Sequence, residues 1–262
     1  MTRRSVGLLA LMACAAAGRA QAPTPEQTGA AIEMSRKMAL SYTRSLPDFV
    51  CTQWVHRYLD FTHRGFWRLL DTLTIKLSYF ELKEDHKLVL INGMPSERSY
   101  RELIGAVTEG EFGSILNQIF DSSSQAVFTW EKWAKVSKRR AAIYLYHVDR
   151  FHSGYALNFG GGRSGAVRAT VAYRGMVEVD RDTGDVLRLT YTADAIPKTY
   201  PIHSATTTVS YAFADVGGRQ YLLPESSETE MRSVDMWARN HTDFREYRKF
   251  SADSTITFGD GK

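Results

Sequence analysis

Residues 176–193, MVEVDRDTGDVLRLTYTA, alternate apolar and polar side chains on both sides of a short break. Val177 and Val179 interleave with Glu178 and Asp180. Leu187, Leu189 and Tyr191 then interleave with Arg188 and Thr190. Period two flanking the Asp/Gly-rich segment Arg181-Asp182-Thr183-Gly184-Asp185 predicts two strands joined by a tight turn. The rest of the chain largely repeats this unit.

Toward the C-terminus the same alternation predicts strands over 204–215, over 221–223 with a continuation to Arg232, and over 237–250, with Val216-Gly217-Gly218-Arg219 as one of the turns. Toward the N-terminus it predicts strands at 167–173, 154–159, 141–149 and 126–133, the last two joined by a basic tip at 135–140. Three more are predicted at 86–92, 69–82 and 49–58. Two stretches change period. Ala31, Met34, Met38 and Tyr42 recur at helical spacing within 26–45, and Leu46-Pro47 stops that helix because the residue before proline is pushed out of the α region. Thr108-Glu109-Gly110-Glu111 reads as a capping box before Phe112, Ile115, Leu116, Ile119 and Phe120, predicting a short helix over 109–120. The fold class expected is therefore α+β: a predominantly antiparallel β meander of about eleven strands forming a curved half-barrel. The N-terminal helix and the short helix cover it.

The first residues set the compartment. Arg3 and Arg4 precede an apolar run from Val6 to Ala17, and Ala20-Gln21-Ala22 stands before Pro23. This is the layout of a secretory signal peptide over 1–22, leaving one β-rich exported domain over 23–262. Leu11-Met12-Ala13-Cys14 partly matches a lipobox, so acylation of Cys14 is the alternative to cleavage after Ala22. Either way the protein is expected to be periplasmic or extracellular. Three of the 33 basic residues lie in the leader, which leaves 30 against 29 acidic ones. A charge near +1 gives no reason to expect a nucleic-acid partner. Cys51 would be the one cysteine of the mature chain, so the hydrophobic core, not a disulfide, must hold the fold.

Catalytic and metal signals are thin. His147 and Asp149 share a strand face with His152 shortly after, but no second ligand pair of recognisable spacing joins them, and no cofactor is called for. Gly160-Gly161-Gly162-Arg163-Ser164-Gly165 lacks the Lys-Ser/Thr helix start of a phosphate loop and reads as a hairpin tip. Cys51 and His56 have opposite parity on one strand and cannot form a dyad; Cys51 reads as a packing residue.

Aromatic content is more informative. Thirteen Tyr, thirteen Phe and five Trp leave several strands apolar on both faces, as at 141–148, where Ile143 and Leu145 alternate with Tyr144 and Tyr146. Two helices cannot cover one face of so wide a sheet, so it either packs on itself or encloses an apolar cavity. The inward set expected to line such a cavity is Leu73, Ile75, Leu77, Ile143, Leu145, Leu187, Leu189, Val209 and Tyr211, with the inward parity at 141–148 left open.

The pattern Val177-Glu178-Val179-Asp180, Gly184 and Val186-Leu187-Arg188-Leu189 also resembles the hairpin of the LolA-like lipoprotein carrier superfamily, which includes the outer-membrane lipoprotein-sorting proteins and a related envelope-stress sensor. That resemblance implies an incomplete barrel whose concave face holds acyl chains, with an arginine and aromatics near the mouth; the first strand offers only Arg57 for that arginine. The expected function is that of a non-enzymatic envelope protein binding a lipid or lipoprotein acyl chain. One rival is an envelope protein-protein interaction module using residues 225–232 as an edge strand. A second is an exported hydrolase built on His147, Asp149 and His152.

Overall fold

The computed structural model describes residues 23–99, 103, 112–159 and 167–250. The leader with Cys14, the Thr108–Glu111 capping box and the glycine loop at 160–165 lie outside the described residues. Helix α1 (Pro25–Ser45) leads into strands β1 (Phe49–Asp60), β2 (Arg68–Phe80), β3 (Lys83–Ile91) and β4 (Met94–Pro95). Helix α2 (Ser114–Phe120) and a 3-10 turn precede β5 (Val127–Val136) and β6 (Arg139–Val148). A small hairpin follows, β7 (Ala156–Phe159) and β8 (Val167–Thr170). The chain ends in β9 (Ala172–Asp180), β10 (Val186–Asp194), β11 (Ile202–Asp215), β12 (Gln220–Ser233) and β13 (Trp237–Lys249).

Eleven strands form one antiparallel sheet in the order β4-β3-β2-β1-β13-β12-β11-β10-β9-β6-β5. The chain starts in the middle of this sheet and meanders out to one edge. It then crosses to the opposite edge and walks back until β13 pairs with β1. The ends β4 and β5 do not meet, so the result is an open, curved α+β half-barrel. Strand 225–232, expected at an edge, lies instead in β12 between β11 and β13, paired on both sides. Its charges therefore sit on a face, and a rival function that used it as a docking edge loses that edge. The alternation could not show this, because edge and central strands share the same period.

The opening hairpin is β9–β10, and its turn is built as its residues require. The Asp180 carboxylate accepts from the N–H groups of Asp182 and Thr183, and Gly184 takes φ +79°. A Cβ on Gly184 would also come within 3.0 Å of the Met34 backbone, so α1 rests directly on this turn. The acidic tip then meets the basic tip of β5–β6. Arg139 pairs with Asp180 and Asp185, Arg140 with Asp182, and Arg181 lies over the Trp133 ring.

Helix α1 starts as its sequence dictates locally. Thr24 caps α1 with Gln27 in a reciprocal capping box, and Leu46 is extended before Pro47. The buried stripe of α1 is Ala31, Ile32, Ser35, Ala39 and Tyr42, with Met34 and Met38 at its exposed border rather than in it. Helix α2 begins after Gly113 at φ 119°, later than the expected 109, and Phe112 stands outside it as a buried plug. The Phe112 ring packs on Phe49, Phe244 and Tyr247.

The face beneath the helices carries the main core: Phe49, Cys51, Leu77, Tyr79, Ala142, Tyr144, Tyr146, Val177, Leu189, Val209 and Tyr211 among others. A second cluster at the other end of the same strands packs under the β7–β8 hairpin, through Leu157, Val171, Tyr200, Ile202, Met231 and Ala238. That hairpin is expected from its strands, but not as a separate third cover off the main sheet, because residues 167–173 read as one strand. Val171 ends the first strand in the gap between β8 and β9.

Tyrosine hydroxyls tie the covers down. Tyr144 donates to the Thr28 carbonyl and Tyr79 to that of Thr43, both in α1. From α1 itself, Tyr42 donates to Leu222. Tyr173 holds α2 through Gln118, and Tyr200 holds the small hairpin through Leu157 and Val167. Burial pushes Tyr79, Tyr144 and Tyr155 up to about 12, so these groups stay protonated donors far above neutrality. A tyrosine harder to ionise folded than unfolded stabilises the fold below pH ~10, and that contribution disappears as pH rises toward 12. Thermal melts at increasing pH should show a steep loss of Tm between about pH 10 and 12. Gly175 has a separate role. A Cβ there would lie 1.8 Å from the Thr190 carbonyl and 2.8 Å from the Tyr146 hydroxyl that donates to it. Gly175→Ala should cost about 3 kcal/mol or more in urea unfolding.

Candidate functional site

The helix-bearing face is where an apolar ligand would have to sit, and the register shows which side chains reach it. Leu77, Leu189, Val209 and Tyr211 all lie there in the main core. Leu73 and Ile75 share that face but belong to a separate cluster with Val55, Leu88 and Leu103. Val186 takes an inward place because β10 is bulged against β9 between Val186 and Arg188; Leu187 is buried at this bulge, outside the three apolar clusters. Ile143 and Leu145 lie on the opposite face. Tyr144 pairs with Val177 and Tyr146 with Gly175 on the helix side, so their neighbours Ile143 and Leu145 point away, and Leu145 is 44% exposed. Both parities of 141–148 are apolar enough to be buried, which is why the pattern could not choose between them.

A cleft on this face opens beside the core. It measures about 180 Å³ and lies between α1 and the β10–β12 end of the sheet. Met38, Ala39, Tyr42, Leu46, Leu116 and Val186 supply apolar walls on one side, and Phe213, Tyr221 and Leu222 on the other. Its polar elements are few: Ser45, Asp185 and Gln220. Burial drives the Tyr42 hydroxyl well above its ordinary range, with Tyr79 and Glu84 adding to the effect, so it stays protonated and donates to the Leu222 carbonyl beside this cleft. Ligand pockets for drug-sized molecules usually span roughly 300–1,000 Å³, so an acyl chain would have to displace α1 to fit.

A feature absent from the sequence reading crosses the same face. In register across successive strands stand Asp71, Arg57, Asn240, Thr229, Thr207, Tyr191, Gly175 and Tyr146. This polar waist runs between the main core and the cluster under the β7–β8 hairpin. At one end the buried Arg57 guanidinium donates two bonds of 2.7 and 2.6 Å to the half-buried Asp71 carboxylate. The Thr207 and Thr229 hydroxyls meet at 2.9 Å. Arg57 thus faces inward, where its guanidinium is bound to a carboxylate.

The chain is weakly similar to several solved structures. One such structure is a LolA superfamily protein from Nitrosomonas europaea, at 10% identity over 85% of this chain and 93% of that one, with a TM-score of 0.36. Another is an outer membrane lipoprotein-sorting protein domain from Vibrio parahaemolyticus, at 14% identity, 84% and 92% coverage and a TM-score of 0.36. A DUF1329 family protein from Desulfovibrio piger matches at 10% identity, 86% and 95% coverage and the same TM-score. The likeness is weak and is one of fold; it carries no ligand or partner across. No protein-family model and no curated protein matches the chain.

The residues of the hydrolase reading are not assembled. Asp149 is used as the cap of the 3-10 turn Arg150–His152, its Oδ1 accepting from the Phe151 N–H. Among the described residues no three of His, Cys, Asp and Glu come together as a metal site. Cys51 is buried in the main core, and His56, of opposite parity, is turned to the other face. No helix among the described residues is long and apolar enough to cross a membrane.

The Arg57–Asp71 pair gives a direct test of the waist. Asp71→Asn removes the carboxylate charge facing a buried cation and should lower stability by about 3–5 kcal/mol. The double replacement Arg57→Met/Asp71→Leu should recover most of that loss, as read by urea midpoint.

Proposed function

We propose that this is an exported, non-enzymatic binding protein of the cell envelope that takes an apolar ligand, a lipid or the acyl chains of a lipoprotein, between α1 and the sheet. The observation that supports it most is the way the inner face is covered. An apolar surface eleven strands wide is closed by separate small pieces, and the largest, α1, leaves an apolar cleft along one side. Met38 stands exposed on α1 and lines that cleft, and methionine is a side chain that adapts readily to a chain-like ligand. Each acyl methylene buried beside Leu189, Val209 and Leu222 would contribute about 0.8 kcal/mol, with no catalytic group needed. In this reading α1 moves outward and the ligand replaces its apolar stripe. Affinity is then the difference between acyl burial and the helix contacts given up.

Mass spectrometry of the purified protein should find co-purifying lipid, and a fluorescent fatty acid should bind with micromolar affinity and be displaced by natural ones. Leu189→Arg, which places a charge in the core behind the cleft, should abolish both. A folded wild-type protein that carries no lipid and takes up no fatty acid ends this reading.

A further inference from the structure

The connection between β1 and β2, Phe61-Thr62-His63-Arg64-Gly65-Phe66-Trp67, holds large apolar side chains out in water. Phe61 is 69% and Phe66 66% exposed, and Leu69 and Leu70 at the start of β2 are 55% and 43% exposed. Four such side chains within ten residues form a patch that a monomeric surface does not leave uncovered without a use.

This loop is firmly built. Asp60, buried at the end of β1, accepts from the backbone N–H groups of Thr62, Arg64 and Gly65 at 2.7, 3.0 and 2.7 Å and from the Thr62 hydroxyl at 2.5 Å. His63 and Gly65 take the left-handed conformations that this wrapping needs. At the base, His63 stacks on Trp237, and Arg239 lies 4.2 Å from the centre of the Trp67 ring. The apolar tips therefore project from a fixed base.

Charge decides what they face. Arg64 and Arg68 are exposed beside the two phenylalanines, and among the described residues no ion pair engages either of them. The carboxylates within and next to the loop are both occupied, Asp60 by the loop's own N–H groups and Asp71 by Arg57. The loop thus presents apolar tips and cations with no uncommitted anion. Neighbouring turns at the same end of the sheet continue the apolar edge on both sides, through Met94 beyond β3 and Val234 between β12 and β13. Exposed apolar side chains flanked by two arginines unpaired among the described residues match the boundary between acyl chains and phosphates.

We propose that the β1–β2 loop is a membrane-docking finger that inserts Phe61, Phe66, Leu69 and Leu70 into an anionic phospholipid surface, with Arg64 and Arg68 on its phosphates. The proposal is independent of what the inner face binds. Co-sedimentation of the full chain with phosphatidylglycerol–phosphatidylcholine vesicles, against phosphatidylcholine alone, tests it. Wild-type protein should bind the anionic vesicles preferentially, and less as salt rises. The Phe61→Ser/Phe66→Ser variant should lose at least tenfold in partitioning. Arg64→Gln and Arg68→Gln should each lose about fivefold, on anionic vesicles only. Leu82→Ser, at an equally exposed site in the β2–β3 turn at the other end of the sheet, should bind as wild type does. Wild-type protein that stays in the supernatant, equal binding to neutral vesicles, or undiminished binding by the phenylalanine variant with its circular dichroism intact overturns the proposal.

Discussion

A curved sheet that does not close leaves one long apolar face, and the rest of this molecule is organised by the need to keep water off it. A closed barrel of similar strand number would bury that face against itself; here β4 and β5 stay apart and the cover must come from elsewhere. It comes in three pieces, α1, α2 and the β7–β8 hairpin, none able to fold stably alone. Apolar packing does not fix where a cover sits along a smooth surface. The tyrosine hydroxyls do, because each needs one particular carbonyl when buried, and so they set the position of each piece.

Electrostatics play a similar local role. The acidic β9–β10 tip and the basic β5–β6 tip lie far apart in sequence and side by side in space, where Arg139 and Arg140 lock them. The polar waist does the reverse of an apolar core. It spends a largely buried ion pair and matched threonines on dividing the inner face in two. Removing either partner of such a pair costs more than the pair itself contributes, so the waist defines register more than it adds stability.

The two proposed surfaces occupy opposite ends of the strands. The cleft opens where β11 ends and β12 begins, beside α1, while the β1–β2 loop projects from the far end next to the β12–β13 turn. A molecule docked through the loop would therefore hold its cleft away from the surface it touches. The rigid base made by Asp60 and the sheet between the two sites keep that separation constant.

Much of this was legible in the chain because alternation of two is a local property. Residues 176–193 specified a hairpin whatever surrounded them, and nearly every strand and the N-terminal helix follow from the same local rules. Which face each residue would meet was not local. Ile143 and Tyr144 are equally fit for burial, and only pairing of β6 with β9 turned the tyrosine inward and the isoleucine out. Whether 225–232 was an edge depended on β13 returning to β1, a contact across the whole chain. The polar waist was hidden for the same reason: Asp71, Arg57, Asn240, Thr229 and Thr207 come from five strands, and nothing in any one of them says they will stand in a row. Sequence by itself determined the elements, since backbone preference and side-chain period act over a few residues. Tertiary structure alone decided faces, edges and the grouping of polar side chains, because those are set by register between segments that meet only when the sheet has formed.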